Sequence, residues 1–314
     1  MEPPDSSRSA AQFRQRRPLL EAIETAGAAV RHAPPLEGVP SGVAGLDDLF
    51  FVVESHGTRL VRRPLGGYPK GAVLALTGVP ETGKSLMAEQ FAVKQASLGH
   101  TVLFVSVESP APFASRALEL RTQAMGLDWS DVRERILLVD AASHASLRED
   151  LPTLLATLAH GLRQFAVERT VIDSVTGLYE AREILARSIV REVYNFLKSW
   201  KQTALLVTQK RSAQEETSAE AAGGYAVSHI VDGTIVLAKR LIETPFQSQL
   251  YGLPVGDVLR TLRIDGCRLS GHDTSTHVIE ITELGVVQVG PRLSELLRHR
   301  PVGRGGAGTP REVL

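Results

Sequence analysis

Short apolar runs recur along the chain, separated by longer stretches in which apolar and polar residues alternate with helical spacing. The continuous runs Ala72–Thr77, Thr101–Val107, Ile136–Asp140, Thr170–Asp173 and Ala204–Thr208 predict buried strands. Amphipathic stretches near Ser85–Ser97, Pro112–Met125, Leu147–Phe165 and Ala181–Trp200 predict the helices between them. Strands apolar on both faces, separated by helices, imply a parallel sheet covered on both sides. After about residue 230 the rhythm changes to strands without helices, at Ile230–Leu237, Leu259–Ile264, Val278–Thr282 and Val286–Val289, and predicts an antiparallel extension of the same sheet. The expected fold class is α/β, with a central, mainly parallel sheet, flanking helices and C-terminal antiparallel strands. Ahead of this core, Phe51–Val61 places two apolar runs around Ser55-His56-Gly57, the pattern of a hairpin.

The two ends read differently. A helix-compatible stretch over Ser9–Arg31 closes on Ala33-Pro34-Pro35, where proline disfavours further helix. From about Pro291 the chain is rich in Gly, Arg and Pro and poor in apolar side chains, so it buries too little to offset its ordering entropy. The expected organisation is an arm over 1–36, partly helical, a single domain over 37–291, and a disordered Gly/Arg-rich tail over 292–314.

Composition narrows the class. With 35 Lys plus Arg against 35 Asp plus Glu, the formal net charge of the 314 residues is zero, which excludes a uniformly basic nucleic-acid coat. The neutrality is uneven. Residues 1–36 hold five Arg against four acids and residues 292–314 five Arg against two, so 37–291 carry −4. The one cysteine, Cys267, cannot form an internal disulfide. The opening MEPPDSSRSA lacks the apolar centre of a secretory signal, and no apolar run approaches the roughly 18 residues needed to span a bilayer. These features give the expectation of a cytoplasmic protein with no membrane partner.

The chemistry concentrates at Gly78-Val79-Pro80-Glu81-Thr82-Gly83-Lys84-Ser85, which fits the phosphate-binding pattern G-x-x-x-x-G-K-[ST] (Walker A) and lies between a predicted strand and the helix that continues at Leu86. In such a loop the glycines let backbone N–H groups curl toward phosphate oxygens, the lysine supplies a cation, and the helix N-terminus adds favourable field. Lys84 would meet the β- and γ-phosphates of ATP, and Ser85 would offer a hydroxyl to Mg²⁺. Glu81 is the anomaly: an acid beside phosphates must turn to solvent or to a cation. Asp173, closing the apolar run Thr170–Asp173, suits a carboxylate that holds Mg²⁺ through water. Glu108 and Gln209 close two further runs. Because parallel strands end along one edge, both should converge on the loop, Glu108 to orient the attacking water and Gln209 to sense the γ-phosphate.

Together these residues resemble the RecA-like ATPases, and among them the KaiC-type branch. Val39-Pro-Ser-Gly-Val-Ala-Gly45-Leu46-Asp47-Asp48-Leu49 resembles the family's opening motif, and Gly66-Gly-Tyr-Pro-Lys-Gly71 resembles its Gly-Gly-x-Pro-x-Gly. Phe104-Val-Ser-Val-Glu108-Ser109 is similar to its strand ending in paired Glu, with Ser109 in the second place. Ile230–Leu237 resembles the strand that opens its antiparallel part. The resemblance implies homo-oligomeric rings, usually hexamers, with ATP at subunit interfaces and basic residues reaching the γ-phosphate from the neighbour. The stretch corresponding to the family's Lys-x-Arg-Gly-x-x-His is Gly266-Cys267-Arg268-Leu269-Ser270-Gly271-His272, which keeps Arg268 and His272 for that role in trans but has Gly266 and Leu269 where the family has Lys and Gly. With the second acid and that lysine replaced, the expected turnover is slow. Ser228-His229 offers at most one hydroxyl where the clock protein phosphorylates itself, so autophosphorylation is disfavoured.

Two further readings concern partners. A nucleotide-gated scaffold with little turnover, acting on an unknown protein partner, would use the same loop. A DNA-repair recombinase-paralogue accessory ATPase would need single-stranded DNA. The stretch Lys210–Gly224 that would contact it carries two basic against three acidic residues, with only Tyr225 to stack, which disfavours that partner. Arg14, Arg16 and Arg17 read as a solvated face.

Overall fold

A computed structural model of the chain describes residues 19–210 and 229–298. Residues up to Pro35 form a unit of their own, distinct from Leu36 onward. Within the described part of that first unit, the helix expected over Ser9–Arg31 is replaced by single turns: 3-10 turns at Leu20–Ala22 and Val30–His32 and one α-turn at Ala26–Ala29. Thr25 is extended and caps the last of these, its side chain accepting from the Ala28 N–H, so it starts a turn where a longer helix would have needed it to continue one.

The second unit begins with β1 (Gly38–Val39), the paired strands β2 (Phe50–His56) and β3 (Arg59–Pro64), and β4 (Tyr68–Pro69). β2 and β3 form the predicted hairpin, in register from Phe51–Pro64 to His56–Arg59. The strands that follow are β5 (Val73–Gly78), β6 (Val102–Ser106), β7 (Ile136–Asp140), β8 (Arg169–Asp173), β9 (Thr203–Gln209), β10 (Gly233–Leu241), β11 (Val258–Cys267), β12 (Gly271–His272), β13 (His277–Ile281) and β14 (Val287–Arg292). Among the described residues the main sheet has the order β14-β13-β11-β10-β5-β9-β8-β6-β7. β12 instead joins the hairpin through β2.

The helices are α1 (Lys84–Ser97), α2 (Ala111–Ala124), α3 (Trp129–Val132), α4 (Ala145–Glu149), α5 (Leu151–Gln164), α6 (Ala186–Ser199), α7 (Pro245–Tyr251) and α8 (Leu293–Arg298). Alternation along each strand divides the core in two. Leu74 and Leu76 of β5 face Met87 and Phe91 of α1, whereas Val73 and Ala75 join Leu154 and Leu158 of α5 and Val190 and Val193 of α6 on the other side. Both faces of the central strands are therefore buried, as continuous apolar runs require.

Five further expectations are corrected. β10 runs parallel to β5 and antiparallel to β11, so it is the last parallel strand and not the first antiparallel one. The helix expected over Leu147–Phe165 is two: Asp150 is extended and caps α5 through the Thr153 N–H, and Pro152 supplies the first-turn proline. The first residues expected in the Ala181–Trp200 helix belong instead to a 3-10 segment, Glu180–Leu185, kinked at Arg182. Finally, the region after residue 230 is not free of helices. α7 has a capping box, with the Thr244 side chain accepting from Gln247 N–H and the Gln247 side chain accepting from the Thr244 N–H, and it ends on Gly252 at φ +68°. The tail expected to be disordered from residue 292 instead closes β14 at Arg292 and forms α8; its remainder lies outside the described residues.

Candidate active site

The nine residues from Gly78 to Leu86 run from the last residue of β5, through the loop Val79–Gly83, into the first turn of α1. Gly83 has φ +101°, a backbone conformation open to glycine, and turns the chain into the first residue of α1, Lys84. Gly78 is held by contact: a Cβ there would lie 2.4 Å from the Leu237 carbonyl of β10. The loop is already curled. Lys84 Nζ donates to the Val79 carbonyl at 2.7 Å, and Thr82 Oγ1 donates to the same oxygen at 2.9 Å. Lys84 is 6% exposed. Burial pushes its ammonium down to about 8, with Asp173 and Glu108 acting in the opposite direction and Lys239 and Lys210 adding to the fall.

Asp173, at the end of β8, shares a hydrogen bond with the Ser85 side chain. Burial pushes its carboxyl up to about 7; the Ser85 bond opposes the rise, and the neighbouring Glu108 and Glu89 charges add to it. Beyond β6, Glu108 Oε1 accepts from Ser174 Oγ at 2.5 Å and from Gln209 Nε2 at 2.7 Å. The structure therefore brings Lys84, Ser85, Asp173, Glu108 and Gln209 to one edge of the sheet. The Asp173–Ser174 peptide is cis.

Hard oxygen donors of this kind suit Mg²⁺. A hydroxyl and a carboxylate already touch, and a cation would offset the neighbouring Glu108 and Glu89 charges that add to the rise of the Asp173 pKa. Among the described residues no group of three or more His, Cys, Asp or Glu is arranged to hold a metal. A cation here would take Ser85 and Asp173, the latter through water, and complete its shell with phosphate oxygens and water.

Glu81 turns to a cation. At φ +64° it directs its carboxylate to Lys239 Nζ of β10 at 2.8 Å, and its backbone carbonyl accepts from Arg260 Nε of β11 at 3.4 Å. The cleft over the loop is lined by Glu81, Gly83, Lys84, Ser85, Leu86, Arg260 and Ile281. Lys239, Arg260 and Ser174 were not singled out from the sequence. Ser174 stood in plain view after Asp173, but nothing in its type showed that it would face Glu108. The two cations depend on the register of β10 and β11, which the sequence does not print.

Arg268 and His272 lie elsewhere. Cys267 pairs with Gly233, and Gly233 with Leu74, so the end of β11 sits beside the start of β5, opposite its loop end. There Arg268 Nη2 donates to the His229 carbonyl at 2.8 Å, and Arg268 lines a separate cleft with Asp232, Asp265, Cys267 and His272. Burial lowers the His272 pKa. Within one chain the two groups are not brought to the phosphate loop. Of the stretch Lys210–Gly224, only Lys210 falls among the described residues; Tyr225, Ser228 and Arg14, Arg16 and Arg17 also lie outside them.

The sheet order, the strand–loop–helix turn and the C-terminal antiparallel strands define a RecA-like α/β protein. The chain belongs to the KaiC family of ATPases, whose family description, "ATPase: KaiC", matches residues 39–294. It is 26% identical over 283 residues to a UPF0273 protein of Aeropyrum pernix, covering 82% of this chain and 99% of that one. A UPF0273 protein of Thermotoga maritima is 25% identical over 264 residues, covering 80% and 96%. In fold, the chain matches the KaiC-like protein PH0186 of Pyrococcus horikoshii with a TM-score of 0.61 at 23% identity, over 82% of this chain and all of that one.

Proposed function

We propose that this KaiC-family protein binds Mg·ATP and hydrolyses it slowly as a homo-oligomeric ring, a hexamer by family resemblance, acting as a nucleotide-driven switch on a protein partner. The observation that carries the reading is the convergence of Lys84, Ser85, Asp173, Glu108 and Gln209 on one sheet edge. Bound Mg²⁺ would supply Lewis-acid neutralisation of phosphate charge. Lys84 would leave the Val79 carbonyl for phosphate, Ser85 and Asp173 would hold the cation, and Glu108 would orient water. Arg268 and His272, at the far edge, would serve a neighbour's nucleotide, which fits their distance from the loop of their own chain. The organisation proposed is an arm to residue 36, the ATPase domain over 37–291 and a C-terminal tail. Single-stranded DNA stays disfavoured on the charge of Lys210–Gly224. Among the described residues no helix is long and apolar enough to cross a membrane. The lone Cys267 favours a cytoplasmic setting.

One observation favours a scaffold with little turnover: the Arg268 guanidinium is engaged by the carbonyls of its own His229 and Ile230. Sizing with and without Mg·ATP, alongside turnover, separates the readings. Expected are an ATP-dependent oligomer and measurable hydrolysis, both lost in Lys84→Ala. A persistent monomer in Mg·ATP contradicts interface catalysis, and an ATP-dependent oligomer without hydrolysis supports the scaffold.

A further inference from the structure

Two donors converge on a single oxygen of Glu108. Ser174 Oγ and Gln209 Nε2 both donate to Oε1, at 2.5 and 2.7 Å, and among the described residues Oε2 takes no hydrogen bond. A carboxylate oxygen has two in-plane lone pairs, so Oε1 is saturated and Oε2 is the available base. The donors are themselves fixed. Ser174 is fully buried. The Asp173 carbonyl just before it accepts from the Val107 N–H at 2.8 Å, which ties the segment holding Ser174 to the segment holding Glu108. The Gln209 N–H donates to Thr176 Oγ1 at 3.0 Å, so Gln209 is held by its backbone as well as its side chain. Glu108, Ser174, Thr176 and Gln209 thus close a ring of contacts spanning three strand ends.

We propose that Ser174 is a positioning residue for hydrolysis: with Gln209 it pins Oε1 of Glu108 and leaves Oε2 to take the proton of the attacking water. The inference rests on the ATPase reading above. In the step, the water oxygen bonds to the γ-phosphorus while the bond from that phosphorus to the ADP oxygen breaks, its electron pair remaining on ADP. Glu108 Oε2 receives one water proton and returns it to the inorganic phosphate. A carboxylate with one oxygen tethered by two donors keeps the other in a fixed direction; with Ser174 absent, rotation about the side chain misdirects it. The competing role for Ser174 is packing, in which its hydroxyl merely finds an acceptor because a buried hydroxyl must.

The test measures kcat and, separately, ATP affinity with a fluorescent analogue. Ser174→Ala should lower kcat about tenfold, the effect of removing one charge-assisted hydrogen bond, while nucleotide affinity stays within about twofold. Gln209→Ala, which leaves the buried serine in place, should lower kcat similarly. Followed as single turnovers, Glu108→Gln and Glu108→Gln/Ser174→Ala should decay at the same slow rate, because Ser174 acts only through Glu108. Wild-type kcat in Ser174→Ala overturns the proposal, as does a further loss of the same size in the double variant. Undiminished turnover in Glu108→Gln removes the role of Glu108 and overturns the proposal with it, whereas absence of hydrolysis by the wild type overturns instead the ATPase reading beneath it.

Discussion

Burial pushes the Asp173 carboxyl up to about 7, against an unfolded value of 3.8. An acid raised on folding opposes the folded state once it is ionised. The stability associated with its neutral form is fully present below about pH 4, is lost as pH rises to about 7, and stays lost above that. Asp173→Asn should therefore raise the melting temperature of nucleotide-free protein by a few degrees at pH 8, by much less at pH 5, and abolish Mg²⁺-dependent nucleotide binding. Calorimetry at the two pH values checks this, and equal shifts at both would contradict the electrostatic account. At this scale much of the site was legible. Gly78–Ser85 is a contiguous pattern whose chemistry travels with it, and Glu108, Asp173 and Gln209 announce themselves by closing apolar runs. Ser174 was not legible, because a serine after a strand reveals neither its burial nor its direction.

The loop between β5 and α1 has two flanks of unlike character. On one flank lie the carboxylates Asp173 and Glu108; on the other lie Lys239 of β10 and Arg260 of β11, held toward the loop by Glu81. Lys239 is close enough to lower the Lys84 pKa, so its charge is felt where phosphate would sit. Glu81→Gln removes a negative charge from the loop and releases Lys239, and should tighten ATP binding about two- to fivefold at low salt, with the gain shrinking as salt rises. Titration calorimetry at two ionic strengths reads this directly; weaker binding would show that Glu81 orders the loop. Element types were legible wherever periodicity ran long, as in β5, β9 and α1. Boundaries failed where a local cap outcompeted continuation, as at Thr25 and Asp150. α7 was readable in principle, since Thr244-Pro245-Phe246-Gln247 spells its own capping box. The parallel direction of β10 was not, because only its neighbours β5 and β11 set it.

At the scale of the whole sheet the candidate residues fall at two ends. The phosphate loop, Asp173, Glu108 and Gln209 occupy the edge where the parallel strands finish, and Arg268 and His272 occupy the opposite one. If Arg268 and His272 serve a neighbour's nucleotide, as proposed, this layout suits head-to-tail association of copies of the chain. The hairpin of β2 and β3 extends the second edge through the pairing of β2 with β12, which carries His272. As proposed above, hydrolysis needs both groups from different chains. Mixing Glu108→Gln subunits with Arg268→Ala subunits tests it most directly. Each variant alone should hydrolyse ATP at a few per cent of wild type or less, on the order of the loss from removing one catalytic group. The mixture should recover activity at interfaces that pair an intact Glu108 with an intact Arg268. Full activity in Arg268→Ala alone, or a mixed oligomer with no recovery, would contradict the account.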